Sequence, residues 1–274
     1  MTSLHHHQED VRFESAKDGL PQIITIRCPS GISGDMLLTG LAVTWLEYAG
    51  IETGTEQANA WLDERLGRIM PELAGCAKIG SKLVNGIAGW HLYLDLPHSH
   101  EHRNLADIQK IIDDAQIELD ARHLANACFE LLAQCEAKAH HKPLQEVHFH
   151  EVGALDSILD ICAVVSLYVE LGKPKVVCSP LPVADGQISC AHGILTAPAP
   201  TVLYLMQGLP VQPFGGRPNA GELVTPTAIA LLRTLGVEFG PWPEFVAQKT
   251  CLVYGGKVFE NAANGAIFAG GNGL

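Results

Sequence analysis

Positive charge is scarce in this chain. Lys and Arg together number 18 of 274 residues against 30 Asp and Glu, giving a formal net charge of −12 at pH 7. Nucleic acid is therefore excluded as a partner, because binding it requires a basic footprint that displaces counterions from phosphates. Paired cysteines are also missing. The eight (28, 76, 128, 135, 162, 178, 190 and 251) include no C-x-x-C, so neither a zinc knuckle nor a disulfide framework is readable. Cys128, Cys135 and Cys162 fall on apolar faces of helical patterns, where a free thiol behaves as a small hydrophobe. A reduced, cytoplasmic setting follows. No long apolar run escapes proline. The longest stretch free of charged residues, Gly186 to Gly216, contains Pro198, Pro200, Pro210 and Pro213, which excludes a membrane helix. The first 19 residues have no apolar core of the kind a secretory signal needs. Residues 1–20 are read as a disordered tail, with His5 to His7 a tag-like or accidental triplet.

What is present can build a core: 47% of residues are hydrophobic and 18% charged. Length alone suggests about two domains, here 21–171 and 172–274 with a break at Gly172 and Pro174, although one α/β domain accommodates both. The local patterns predict a short strand over Ile23 to Cys28 and a helix from Ser33 or Gly34 to Tyr48 that is apolar on nearly all sides and so buried. A helix over Thr55 to Met70 follows, then a hairpin over Ala77 to Leu96 turning at Asn85-Gly86. Asn104 is the expected N-cap of a third helix, and a longer amphipathic one spans Glu118 to Ala139. Beyond these come a helix over Ala154 to Leu171, a strand at Lys175 to Ser179, helices at Pro200 to Met206 and Thr225 to Leu235, and strands near Val211, Leu252 and Ala266. The fold class is mixed α/β (α+β), with helices outnumbering strands and no named superfold.

The stretch His140 to Asp160, HHKPLQEVHFHEVGALDSILD, gathers the most metal-capable chemistry: four His, two Glu and two Asp in 21 residues. His148 and His150 are spaced i, i+2, which in an extended backbone places both imidazoles on one face. Asp156 and Asp160 share a helix face at i, i+4. That helix is otherwise apolar, so the two carboxylates need a cation, a shared proton or strong donors. Upstream, His98, His100 and His102 alternate in a polar loop, a pattern suited to nickel, copper or zinc as much as to plain solvation. H-E-x-x-H is absent. The turn Ser30-Gly31-Ile32-Ser33-Gly34-Asp35 is neither a P-loop nor G-x-G-x-x-G. On spacing alone it is a tight turn with Ser33 capping the helix and Asp35 answering its dipole. His192 beside Gly193, and Glu222 ahead of a Thr225-Pro226 helix start, are equally ordinary by spacing.

Taken together, SGISGDM after a strand, H-x-H-x-H-R before a helix, HFHEVGALDSILDI, SPLPVADGQISCAHGILTAPAPT and GELVTPTAIALL, in that order, resemble the LarC family of nickel-insertion proteins. The resemblance runs from about Ile23 to Phe268. It implies insertion of nickel into a pyridinium bis-thiocarboxylate mononucleotide, forming one nickel–carbon and two nickel–sulfur bonds while CTP is consumed. On that resemblance, His98, His100, His102, His148 and His150 are the expected metal ligands, and Glu151, Asp156 and Asp160 the expected catalytic groups. Ser30, Gly31, Ser33, Gly34, Asp35, His192 and Glu222 are the expected cofactor-binding residues, with the glycine turn taking the phosphate. The implied partners are the mononucleotide, the C-terminal CTP-binding portion of the family's longer form, and further copies of the chain in a homo-oligomer. That portion follows a programmed frameshift in some members, so this chain is expected to need it from outside. Arg27 stands where the family usually has aspartate, in the strand before Cys28-Pro29, and reverses the local charge. Two other readings stay open: a non-catalytic nickel-binding or storage protein, and a metal-dependent hydrolase holding zinc with His148, His150 and Asp160.

Overall fold

The computed structural model describes residues 19–97, 103–149, 153–190, 192–216, 220–260 and 262–274. The tail expected over 1–20 falls almost wholly outside them. The chain opens with β1 (Ile23–Arg27) and α1 (Gly34–Ala49), which stops at Gly50 in the left-handed region, where glycine avoids the Cβ clash. Next come α2 (Glu56–Ile69), capped by the Thr55 hydroxyl, and the hairpin of β2 (Ala77–Val84) and β3 (Ile87–Leu94). Asn85 and Gly86 both have positive φ, 51° and 80°, as a two-residue turn between twisted strands requires. Two short strands, β4 (Arg103–Asn104) and β5 (His148–Phe149), enclose α3 (Leu105–Asp114) and α4 (Leu119–His140) in sequence. Asn104 and Asp107 close a reciprocal capping box on α3.

The second half contains α5 (Leu155–Glu170), β6 (Lys175–Cys178), β7 (Leu181–Val183), β8 (Gln187–Cys190), β9 (Gly193–Thr196), α6 (Pro200–Met206) and β10 (Val211–Pro213). It ends with α7 (Pro226–Thr234), β11 (Glu238–Phe239), β12 (Phe245–Val253) and β13 (Ala266–Gly273). Helix carries 41% of the described residues and strand 26%, although the strands, many of them two to four residues long, are the more numerous pieces.

A seven-stranded mixed sheet runs β11-β6-β1-β13-β12-β3-β2. β1 pairs in parallel with β6 and antiparallel with β13, so segments on both sides of Gly172 share one sheet. α1 lies across β3, β12 and β13, where Gly40 admits Phe268; a Cβ there would fall 2.3 Å from the ring. α5 lies between α1 and α2 on one side and α4 and α7 on the other. Ile158, Leu159, Ile161, Cys162, Val164 and Val165 on α5 have no exposed surface, each aliphatic side chain contributing about 1.5–3 kcal/mol on burial. Arg65 stacks on Trp45 and Trp61 and pairs with Glu170 at 2.7 Å, tying α2 to α1 and α5. All eight cysteines are free, with the Cys28 and Cys178 sulfurs 3.7 Å apart on neighbouring strands. Among the described residues no helix is long and apolar enough to cross a membrane.

Candidate functional site

The glycine turn and the Glu222–Thr225 segment, far apart in sequence, form one piece of structure. The Ile32 N–H donates to the Leu223 carbonyl at 3.1 Å, and the Thr225 N–H returns a bond to the Ile32 carbonyl at 3.2 Å. Gly31 makes this possible: its φ is +119°, and a Cβ would stand 2.0 Å from the Leu223 oxygen. Thr225 caps α7, accepting from the Ala228 N–H. Ser33 occupies the N-cap position of α1 but does not cap it; its hydroxyl donates to the Asp35 carboxylate instead. The expected capping by Ser33 is therefore corrected. Ser30, 8% exposed, donates to the Ala263 carbonyl, which brings the loop between β12 and β13 over the start of α1.

Gly34 has a separate task. A Cβ at this position would lie 2.3 Å from an Asp160 carboxylate oxygen, so the missing side chain is what lets α1 and α5 place their acids together. Asp160 is 8% exposed, and its Oδ1 has no hydrogen-bond partner. Burial pushes its pKa well above the usual carboxylate range, and the charges of Asp35 and Asp156 push further in the same direction. Asp156 retains solvent contact and accepts from the Ser157 N–H at 2.7 Å. Protein around its carboxylate still raises its pKa through burial, and Asp35 adds to the rise. The structure thus brings Asp35, Asp156 and Asp160 within electrostatic reach of one another, where the sequence pattern paired only the last two. Among the described residues, no group of three or more His, Cys, Asp or Glu is positioned to hold a metal ion by itself.

His98, His100, His102, His150 and Glu151 lie outside the described residues, as does the His148 side chain. Their flanks are defined. β4 pairs antiparallel with β5, Arg103 opposite Phe149 and Asn104 opposite His148, so the segment just after the alternating histidines runs beside the one that begins HFHE. The buried Arg103 also donates to the Gly153 carbonyl at 3.0 Å. Gly153 packs so closely on Phe149 that a Cβ would stand 2.8 Å from its Cβ. β4, β5 and Gly153 just ahead of α5 are therefore fastened together.

Beside the α1 turn opens a cavity of about 350 Å³, lined by Ser30, Gly31, Ser33, Asp35, Glu222 and Thr225 among others. Sequence reasoning missed its remaining wall, Gly255, Gly256, Lys257, Phe259 and Asn264. The Tyr254-Gly255-Gly256-Lys257 run after a strand was the available signal, since two glycines beside a lysine expose backbone amides near a positive charge. Asn264 holds that loop together, accepting from the Phe259 N–H at 2.7 Å and donating to the carbonyls of Phe259 and Ala262. His192 is absent from this lining; its ring lies 4.8 Å from that of His140 at the end of α4.

Arg27, which stands where the family usually has aspartate, is held by partners of its own. Strand alternation sends it to the face opposite Ile26 and Cys28. There its guanidinium bonds Thr25 and the carbonyls of Gly240 and Pro241, and stacks over Trp242 at 5.2 Å.

A family model described as "Nickel insertion protein" matches residues 24–267. The chain is similar to proteins named "Pyridinium-3,5-bisthiocarboxylic acid mononucleotide nickel insertion protein" from three bacteria. Identity is 32% over 241 residues for Staphylococcus epidermidis, covering 88% of this chain and 57% of the relative. It is 36% over 222 residues for Desulfitobacterium hafniense, covering 81% and 52%. It is 32% over 227 residues for Geobacillus kaustophilus, covering 81% and 53%. The chain thus spans a little over half the length of these relatives. No solved structure matches it.

Proposed function

The chain belongs to the nickel insertion protein family, and from that premise we propose that it inserts nickel into the pyridinium-3,5-bisthiocarboxylate mononucleotide. The observation that carries this reading is the acid cluster Asp35, Asp156 and Asp160, assembled by the contact of Gly34 with Asp160 between two buried helices, with Asp35 lining a cavity. Three carboxylates forced together without matching cations are costly unless a cation or a proton joins them. Nickel as substrate and the positively charged pyridinium ring both answer that charge. His98, His100 and His102 gather the ion, and His148 and His150 present it, imidazole being a suitable nickel ligand. The two thiocarboxylate sulfurs of the mononucleotide complete its coordination.

Forming the nickel–carbon bond replaces a ring C–H bond, so one proton must leave. A carboxylate with a raised pKa is the better base for it, which assigns proton removal to Asp156 or Asp160, and Glu151 is the further candidate. CTP, consumed in the full reaction, is assigned to the C-terminal portion of the longer family members, acting in cis or in trans. The activity is that of a cytoplasmic cyclometallase of the lyase class.

The test is incubation of the purified chain with nickel, CTP and the bis-thiocarboxylate precursor, with and without that C-terminal portion, following cofactor formation. The expected result is product when the portion is added, and its loss in His148→Ala with His150→Ala together with reduced nickel stoichiometry in equilibrium dialysis. Nickel retained but no product under any condition would favour storage. Ester or phosphate hydrolysis by the zinc-loaded chain with no nickel retention would sink the nickel reading.

A further inference from the structure

The cavity is electrically lopsided. Asp35 lines one side, with Asp156 and Asp160 close enough to interact with it. Among the described lining residues Lys257 is the single cation. It follows Gly255 and Gly256 in the loop that joins β12 to β13. That loop is anchored at several points. The Lys82 ammonium donates to the Gly255 carbonyl at 2.7 Å, the Tyr254 N–H donates to the Trp90 carbonyl at 2.8 Å, and Ser30 and Asn264 hold its far end. A Cβ on Gly256 would meet nothing within 4 Å, so its backbone borders open space. Lys257 itself donates to the Glu222 carbonyl at 2.8 Å, which uses one of three ammonium donors and holds the side chain at the cavity. Phe259 supplies an aromatic wall, backed by Phe214 at 5.1 Å.

Resting on the functional reading above, we infer that Lys257 and the Gly255-Gly256 backbone bind the phosphate monoester of the mononucleotide. The glycine turn at the start of α1 is the alternative that the family resemblance suggests. A phosphate there would face the Asp35 carboxylate, like charge against like charge. At Lys257 it meets the one cation among the described lining residues, together with glycine amides, the usual phosphate donors. Phe259 in the same lining offers its ring face to the pyridinium cation.

The test uses nicotinic acid mononucleotide and its dephosphorylated riboside as probes, titrated calorimetrically into the full chain. Wild type should prefer the phosphorylated probe by roughly tenfold or more, the gain of one charge-assisted contact. Lys257→Ala should lose that preference by weakening the mononucleotide alone, Lys257→Arg should keep most of it, and nickel retention should be unchanged in both. Equal mononucleotide affinity in wild type and Lys257→Ala overturns the inference alone, and so does an equal loss for both probes. A wild-type protein that retains nickel but binds neither probe overturns the inference together with the substrate half of the functional reading.

Discussion

Replacing Asp160 with Asn should make the protein more stable at neutral pH, by an amount that depends on pH in a fixed direction. The native carboxylate is 8% exposed, one of its oxygens has no partner, and its pKa lies well above the ordinary 3.8 through burial and then the charges of Asp35 and Asp156. A group whose folded pKa is raised holds its proton in the native state after the unfolded chain has lost it. Its contribution to stability is therefore complete below about 3.8, declines as pH rises through the window up to the folded pKa, and stays lost above it. Asn keeps the shape and never ionises, so it removes the decline. A buried charged oxygen left without a donor costs at least about 1–3 kcal/mol. Taking about 2 kcal/mol and roughly 2–4 °C per kcal/mol for a chain of this size, the variant should melt some 4–8 °C higher at pH 8. The gap should shrink steadily toward pH 5. Calorimetric melting of both proteins in chelator-treated buffer reads this directly. Added nickel, held by the histidines in both proteins, should then raise both melting temperatures, that of the wild type by more. Parallel pH profiles, or an Asn variant less stable at pH 8, would refute the account of Asp160 as a carboxylate kept at a cost in stability.

Gly34→Ala puts a Cβ 2.3 Å from the Asp160 Oδ2 and should cost about 1–3 kcal/mol by overpacking, measured by urea unfolding. Adding Asp160→Ala should recover most of that loss, and strict additivity would disprove the contact. Arg27→Lys cannot reproduce bonds to Thr25, Gly240 and Pro241 together and should destabilise by about 1–3 kcal/mol, while nickel dialysis stays unchanged. Altered nickel retention would place Arg27 in the site after all.

Local signals in the sequence located most of the helices, because each rests on neighbours in the chain. The apolar wrap of α1, the Asn104 capping box and the Asn85-Gly86 turn are legible for that reason. What escaped is set by partners far away. The expected strand near Leu252 begins at Phe245, in a half with exposed residues and a register shift between Ala247 and Lys249, so its alternation is blurred. β13 ends in Gly270, Gly271 and Gly273, poor strand formers that its pairing with β12 nevertheless recruits. The candidate site shows the same division. Asp156 and Asp160 announced themselves as an i, i+4 pair on an apolar helix. That Asp35 joins them depends on Gly34 meeting Asp160, a contact across 126 residues that no local pattern encodes. The Gly255-Gly256-Lys257 wall depends in turn on Ser30 reaching Ala263.

The stretch from His140 to Asp160 can now be treated as mechanically coupled rather than merely rich in ligands. Arg103 bonds Gly153, β4 pairs with β5, and α5 is clamped between two sets of helices. A displacement of β5 would therefore be felt at Gly153, just ahead of the α5 turn that carries Asp156, and through the contact of Gly34 with Asp160 at the start of α1, which carries Asp35. Coupling of this kind runs through packed, hydrogen-bonded elements and needs no separate signalling residue. Breaking the Arg103 bond to the Gly153 carbonyl should loosen β5 and the first turn of α5 together.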